Sequence, residues 1–282
     1  MKISDYIEKN FSLKKIVFQN DKNYESKKNY YQNAKVDSIY CYKVISKFLD
    51  KKNKKVLEVG GGIHLLTNYL EMEGHDITSI EPGGFTGFTD DLRKKILNKN
   101  KLNVFTTTVE NFKTDEKYDF IFSMNVLEHT KDIENHIKSC LKLLKDENSI
   151  LFIQCPNYSF PFEGHFYEFF IPFFPKFTFE KIKRRKLIKK LGNEKFYNIL
   201  NYLNFNCTYK NIKNLRLKVD FKHPIKEIFQ RINSDEKFKK RILSNFFVKM
   251  TWNFIIFFKI ENLICKLFPK SIAPYMIFTI KK

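Results

Sequence analysis

The sequence predicts an open α/β fold, a mostly parallel sheet with helices packed on its faces. Three observations lead there. Lys55-Val56-Leu57-Glu58-Val59 is a short apolar run that stops at Gly60-Gly61-Gly62 and passes into a helical pattern. Its length and β-branched ends read as a buried strand. A second short run, Asp76 to Ile80, ends in another acid, Glu81. A third strand leads through a polar turn into a helix, from Tyr118 to His129 and on from Asp132. Strand, tight turn, helix is the repeating plan of a sheet that binds a nucleotide-type ligand at its carboxyl edge.

The glycine turn is the organising stretch. Glycine permits positive φ and lets a ligand approach the backbone. The following helix aims its unpaired N–H groups at the turn. Two phosphate motifs are excluded: no Lys-Ser/Thr follows, and Leu65 stands where a GxGxxG fingerprint needs its last small residue. A bare strand-to-helix turn without a ligand is the alternative. Glu58 argues against it, because an ionised carboxylate is costly to bury unpaired and is therefore expected to face the ligand crevice. An acid there suits a cationic or amine-bearing ligand. Glu81 stands about 20 residues past the glycines, where a carboxylate can take both hydroxyls of a ribose. A helix-capping or loop acid is the competing reading of Glu81.

The remaining elements follow in order. Residues 1–23 read as a loose polar arm. Residues 24–50 read as helix, since Val36, Ile39, Tyr40, Val44, Ile45, Phe48 and Leu49 recur at helical spacing. Tyr30 and Tyr31 near its start either pack or close over a ligand. Residues 1–50 are thus an N-terminal arm and helical cap, and 51–282 form the main domain. In it, Ile63 to Glu73 is a helix ended by Gly74. Pro82-Gly83-Gly84 breaks the chain before a helix from Asp90 or Asp91. A third strand lies near Val104 to Thr107, with Glu110 and Asn111-Phe112 behind it. A helix from Asp132 to Leu144 precedes a strand from Ser149 to Gln154. Residues 156–179 are aromatic and broken by Pro161, Pro172 and Pro175, which forbid a long helix and suit a substrate lid. A basic helix runs to Lys190, another from Asn193 to Leu203, and Thr208 to Val219 alternates like a strand. Residues 224–270 form a helical insertion with Phe246, Phe247, Trp252, Phe254, Ile255 and Phe258. Tyr275 to Ile280 closes the chain as a strand.

Glu58-x-Gly60-x-Gly62 resembles the first motif of class I S-adenosylmethionine (SAM) dependent methyltransferases. The run from Asp119 to Val126-Leu127-Glu128-His129 closely resembles the fourth-strand motif DxIxxxxVLEH of their small-molecule members. With Glu81 between them, the resemblance covers roughly residues 50–155. It implies a Rossmann-like seven-stranded sheet, mostly parallel, whose last strand is antiparallel and lies between strands five and six. It implies SAM as cofactor, with Glu58, Gly60, Gly61 and Gly62 at the methionine end, Glu81 at the ribose, Glu110 at the adenine amine and Asn125 beside the transferring methyl. His64 departs from the pattern, which usually has a small residue there, so a shifted turn or a narrowed pocket is open. Cys155-Pro156-Asn157-Tyr158 resembles the (Asn/Asp)-Pro-Pro-Tyr motif of amine-modifying members. It follows strand five instead of strand four, so DNA adenine methylation is not implied. Some members that modify sugars or lipid-linked glycans carry a similar Pro-Asn-Tyr stretch after strand five.

The implied activity is methyl transfer to an oxygen or nitrogen of a small-molecule, glycan or lipid-linked acceptor, as in polysaccharide biosynthesis. The main work is positioning donor and acceptor in line. His165 and His129 are the candidate bases, since an imidazole titrates near neutrality; structural roles, helix entry for His129, are the alternative. An RNA methyltransferase and a non-catalytic SAM-binding protein are the rival readings. Fifty-one Lys+Arg against 31 Asp+Glu give a net charge of +20, which suits nucleic acid or an anionic membrane surface. A drift of overall composition explains the same charge, and nucleic acid is the less favoured partner. The local basic cluster is Lys181 to Lys186 with Lys189-Lys190. Five single cysteines without CxxC or Cys/His spacing exclude a zinc site and fit free thiols in the cytoplasm. No metal is expected. The start of the chain shows no signal-peptide core. Thr251 to Phe258 is far short of the roughly 20 residues of a spanning helix, so any membrane contact is peripheral, at the inner face.

Overall fold

The computed structural model describes residues 1–20, 23–49, 54–83, 87–98, 101–163, 168–191 and 200–282. The chain divides into two compact units. One comprises Met1–Met124, Asn135–Phe152 and Lys281–Lys282, the other Asn125–Glu134 and Ile153–Ile280.

The first unit opens with α1 (Ile3–Phe11), α2 (Leu13–Ile16) and α3 (Tyr24–Ile45). The predicted loose arm is therefore helical. Ile3, Tyr6, Ile7 and Phe11 recur at i, i+3, i+4 and i+8, and all four are buried. Intervening lysines and asparagines mask that narrow stripe in the sequence. Tyr6 meets Tyr69 edge-on at 5.6 Å, and the Tyr69 hydroxyl donates to the Met1 carbonyl at 2.8 Å. Tyr31 is fully packed, its hydroxyl donating to the Phe11 carbonyl.

The sheet strands then alternate with helices: β1 (Lys55–Val59), α4 (Leu65–Met72), β2 (Asp76–Ile80), α5 (Gly87–Leu97), β3 (Asn103–Phe105), β4 (Phe120–Met124), α6 (Ile133–Leu143) and β5 (Ile150–Pro156). Val56, Leu57 and Val59 are buried, as are Phe120, Ile121 and Phe122. Such continuous apolar runs mark strands covered on both faces. β1 pairs in parallel with both β2 and β4, and β2 with β3.

The second unit carries a hairpin of β6 (Phe162–Glu163) and β7 (Glu168–Phe169), then α7 (Pro175–Phe177), which runs into a π-helical turn at Thr178–Ile182. It continues with α8 (Arg184–Leu191), α9 (Phe205–Asn214), β8 (Val219–Lys222), α10 (Ile225–Ser234), α11 (Glu236–Ile242), α12 (Phe246–Phe257), α13 (Glu261–Leu267) and β9 (Tyr275–Lys281). The strand expected over 208–219 is mostly α9. Asn204 caps that helix by accepting from the Cys207 N–H at 2.9 Å, and Thr208 and Ile212 turn inward one turn apart. The alternation read there was a helical stripe sampled too briefly. Of the helix expected over 193–203, residues 200–203 are not helical and 192–199 lie outside the described residues. The proline-broken segment builds a small core of its own, in which Tyr158, Phe170 and Phe179 pack with Leu187 and Leu200. Phe173, Phe174 and Phe177 stay outside it, exposed.

The full sheet has seven strands in the order β3-β2-β1-β4-β5-β9-β8, with β9 antiparallel to β8. This is the predicted Rossmann-like seven-stranded sheet, its last strand antiparallel and between strands five and six. Chain order reverses between β1 and β4. In open α/β sheets the crevice at that switch point is where ligands bind.

Candidate functional site

The glycine turn lies at the carboxyl end of β1, beside the switch point. Gly60 and Gly62 have φ of +85° and +56°, which only glycine adopts without strain. The Gly60 and Gly61 N–H groups both donate to the Ile80 carbonyl, at 2.8 and 3.3 Å. The Gly62 N–H donates to Glu81 Oε2 at 3.0 Å. All three amides are thus committed inside the protein. The turn offers no cradle of free N–H groups to a phosphate.

Beneath the turn lies a buried polar cluster. Glu58 is 6% exposed, and its Oε2 accepts the hydroxyl protons of Thr67 and of Ser79, the latter at 3.2 Å. The expectation that this carboxylate faces the crevice gives way to one in which it ties β1 to α4 and β2. Two hydroxyls from neighbouring elements satisfy it there. Burial raises its pKa to about 7, against those two hydrogen bonds. His64 Nδ1 lies 3.1 Å from Ser79 Oγ and 3.3 Å from Thr67 Oγ1. Each hydroxyl has one proton, already given to Glu58, so toward His64 each can only accept. His64 therefore carries its proton on Nδ1 while Glu58 is ionised. Burial, aided by Arg93, lowers its pKa to about 3 and keeps the ring neutral.

His64 resolves the departure noted in the sequence. Its ring turns inward under the turn, with φ of +60°. A Cβ on Gly61 would stand 2.2 Å from Ser79 Oγ and 2.5 Å from His64 Nδ1. The middle glycine is required by the imidazole packed beneath it. A Cβ on Gly62 would meet nothing nearer than the Tyr30 hydroxyl at 3.9 Å, so space is open on that side.

Glu81 spans two loops. Oε2 takes the Gly62 N–H and Oε1 the Gly83 N–H at 3.2 Å. Arg93 Nη1 reaches the Glu81 carbonyl at 3.4 Å, while Nη2 pairs with Asp90. Tyr30 is half-buried near this charge. Burial, then Glu81, raises its pKa to about 12, so the hydroxyl keeps its proton. The roles of Arg93 and Gly83 were not legible in the sequence, because both depend on how the loop after β2 folds back. The Glu81 N–H donates to the Phe105 carbonyl at 3.1 Å, and Phe105 packs on Phe112 at 5.1 Å. Glu110, two residues before Phe112, gives Oε1 to His136 Nδ1 at 2.8 Å. That contact lowers Glu110 to about 2. Burial alone would neutralise His136; contacts with Cys140 and Glu110 reverse this and raise it to about 10.

The second unit holds the other predicted residues. Asn125 continues β4 by one residue, exposed, with φ of +56°, and its N–H donates to the Gln154 carbonyl at 2.8 Å. His129 ends the 3-10 turn Leu127–His129, half-buried. Asn201 braces that turn, donating to the carbonyls of Leu127 and Thr130 at 2.8 and 3.0 Å. Glu128 is fully buried, and its charge adds to burial in raising the pKa of Cys155 and Tyr158. The Tyr158 hydroxyl donates to the buried Glu163 at 3.0 Å. Asn157 donates to the carbonyls of Ser271 and Ala273 and accepts from the N–H groups of Ser159 and Phe205. Both ends of its amide are used within the protein. His165 lies outside the described residues.

A family described as a methyltransferase domain matches residues 31–208. An uncharacterized protein of Mycobacterium tuberculosis is 38% identical over 116 residues, 39% of either chain. The ubiquinone biosynthesis O-methyltransferase of Pelagibacter ubique is 32% identical over 123 residues, 44% of this chain and 50% of that one. The chain thus matches no more than half the length of these relatives. A solved S-adenosylmethionine dependent methyltransferase from Mesorhizobium loti aligns with a TM-score of 0.54 at 6% identity, over 88% of this chain and 100% of that one. That likeness is one of fold.

Proposed function

The chain belongs to the methyltransferase domain family, and from that premise we propose that it binds SAM and methylates an oxygen or nitrogen of a small-molecule, glycan or lipid-linked acceptor. The observation that carries the reading is the pairing of a glycine turn whose amides are all spent with an acid reaching across it. That arrangement suits a nucleoside without phosphates. The residues fit the cofactor: space is open beside Gly62, and Glu81 supplies two acceptor oxygens for a ribose diol. Bound there, SAM supplies a methyl group activated on a sulfonium.

The protein's own part is to bind and orient. Gly60, Gly61 and Gly62 would hold the methionine end and Glu81 the ribose. Glu58 acts from beneath, fixing the turn through Thr67 and Ser79. Tyr30 presents a protonated hydroxyl beside Gly62. Glu110 keeps His136 with Oε1, so the adenine amine would fall to Oε2. Asn125 would border the methyl group, and His129 and His165 are the residues to test as proton acceptors. Exposed Phe173, Phe174 and Phe177 on the lid segment support an acceptor with a sugar ring or an apolar chain. RNA is the weaker reading, because Lys183 and Lys186 of the basic cluster are both held by Glu168, at 2.8 and 2.5 Å. Five free cysteines, three of them buried, support a reducing cytoplasm, with polysaccharide biosynthesis as the setting.

Methyl-labelled SAM incubated with the protein and separated extract fractions tests the acceptor. Label in small-molecule, glycan or lipid fractions is expected, and loss of label in Glu81→Ala. Label confined to RNA would overturn the acceptor class. Tight SAM binding with label in no fraction would favour a non-catalytic binder.

A further inference from the structure

Helix α12 is apolar on two opposite faces. Trp252 and Ile255 are buried, and Trp252 packs with Ile232 and Phe238. Phe246, Phe247, Met250, Phe254, Phe257 and the C-cap Phe258 all remain more than half exposed, Phe257 at 79%. At about 100° per residue these six share one arc of about 120°, opposite Val248, Trp252 and Ile255. The outer rings touch one another: Phe254 and Phe258 lie 4.5 Å apart, Phe257 and Phe258 5.0 Å. Single exposed apolar residues are ordinary, but a contiguous aromatic face marks an interaction surface.

The charges around this face select the occupant. A pocket of about 290 Å3 beside the start of α12 is lined by Lys239, Lys240 and Lys249, with Glu236 and Leu243. Lys259 follows the helix directly, and Lys266 and Lys270 are exposed just beyond. A second copy docked by its own equivalent face would oppose lysines with lysines. Nucleic acid would answer the lysines and leave six apolar side chains unmatched. An anionic bilayer answers both, with apolar side chains at the acyl boundary and ammonium groups at the headgroups. At 12 residues α12 is about 18 Å long, short of the ~30 Å hydrocarbon core. Among the described residues no helix is long and apolar enough to cross a membrane. A helix of this kind lies in the plane of the interface.

We propose that the outer face of α12, with the lysine-lined pocket between α11 and α12, docks this protein on an anionic phospholipid bilayer. The inference goes beyond methyl transfer and stands whether or not the glycine turn binds SAM.

Cosedimentation of the full chain with vesicles tests it. Phosphatidylglycerol-containing vesicles should bind the protein at least tenfold more tightly than pure phosphatidylcholine, and added salt should weaken that binding. Phe254→Ser/Phe257→Ser should lose about tenfold, and Lys240→Gln/Lys249→Gln should lose affinity for anionic vesicles alone. Trp252 is the sole tryptophan and sits on the inner face, so its unchanged emission confirms that each variant is folded. Absence of wild-type binding, or equal binding by folded variants, would overturn the proposal. A wild-type dimer that Phe254→Ser/Phe257→Ser dissociates, without vesicle binding, would assign the face to self-association instead.

Discussion

Replacing Glu58 with Gln separates the shape of the buried carboxylate from its charge. Burial holds Glu58 near pKa 7 where an exposed glutamate has 4.5. A group whose folded pKa is raised contributes stability below its unfolded pKa and loses it as pH rises through the folded value. Wild-type stability should therefore fall between about pH 4.5 and 7 as Glu58 ionises under the turn. At 1.36 kcal/mol per pH unit, the loss is about 3 kcal/mol. Gln keeps an oxygen for Thr67 and Ser79 and does not titrate. Glu58→Gln should match the wild type near pH 4 and exceed it by up to about 3 kcal/mol at pH 8. Urea denaturation of both proteins from pH 4 to 8.5, followed by circular dichroism, measures the difference. Other titrating groups largely cancel in it. A difference flat across pH 4.5 to 7.5 would refute the reasoning. It would return Glu58 to the crevice, where water or ligand keeps its pKa ordinary.

Other outcomes follow from the same geometry. Gly61→Ala should cost about 1–3 kcal/mol through overlap with Ser79 and His64, more than Gly62→Ala, whose side is open and whose strain is about 1 kcal/mol; thermal melts rank them. His136 should remain protonated at pH 8 by NMR titration and titrate at lower pH in Glu110→Gln, which removes one of its two supporting contacts. The Glu110 contribution to stability is full above about pH 4.5 and lost as pH falls toward 2. That of His136 is full below about pH 6.5 and lost as pH rises through 10. Methyl transfer should survive EDTA, since in-line transfer of a methyl already activated on a sulfonium asks for positioning of donor and acceptor. Activity lost to EDTA and restored by magnesium would contradict this.

The sheet was legible because its signals are local. Apolar runs of five residues ending in Gly60 or in Glu81 define buried strands and their turns without tertiary context. The place of the antiparallel last strand between strands five and six came with the resemblance of the two motifs. What escaped the sequence depends on direction. Whether Glu58 points into the crevice or under the turn is set by Thr67 on α4 and Ser79 on β2, 9 and 21 residues away. His64 reads as an intrusion in a small-residue position, yet Gly61 gives it room below. α1 and α9 were missed for another reason. Each is about ten residues with a narrow apolar stripe, and at that length helical and alternating patterns overlap. Asn204, capping α9, and the pair Ile3 and Ile7 were the signals available.

Calorimetric titration of SAM into the wild type and into Glu81→Ala tests the central claim most directly. Glu81 accepts from Gly62 and Gly83 and is the acid assigned to the ribose. Losing charge-assisted hydrogen bonds to it costs about 1.5–3 kcal/mol, and about 1.4 kcal/mol is tenfold in affinity. The account predicts that the wild type binds SAM and S-adenosylhomocysteine, and that the folded variant binds both at least about tenfold more weakly. A wild type that takes up no SAM would contradict it, as would a folded Glu81→Ala with undiminished affinity.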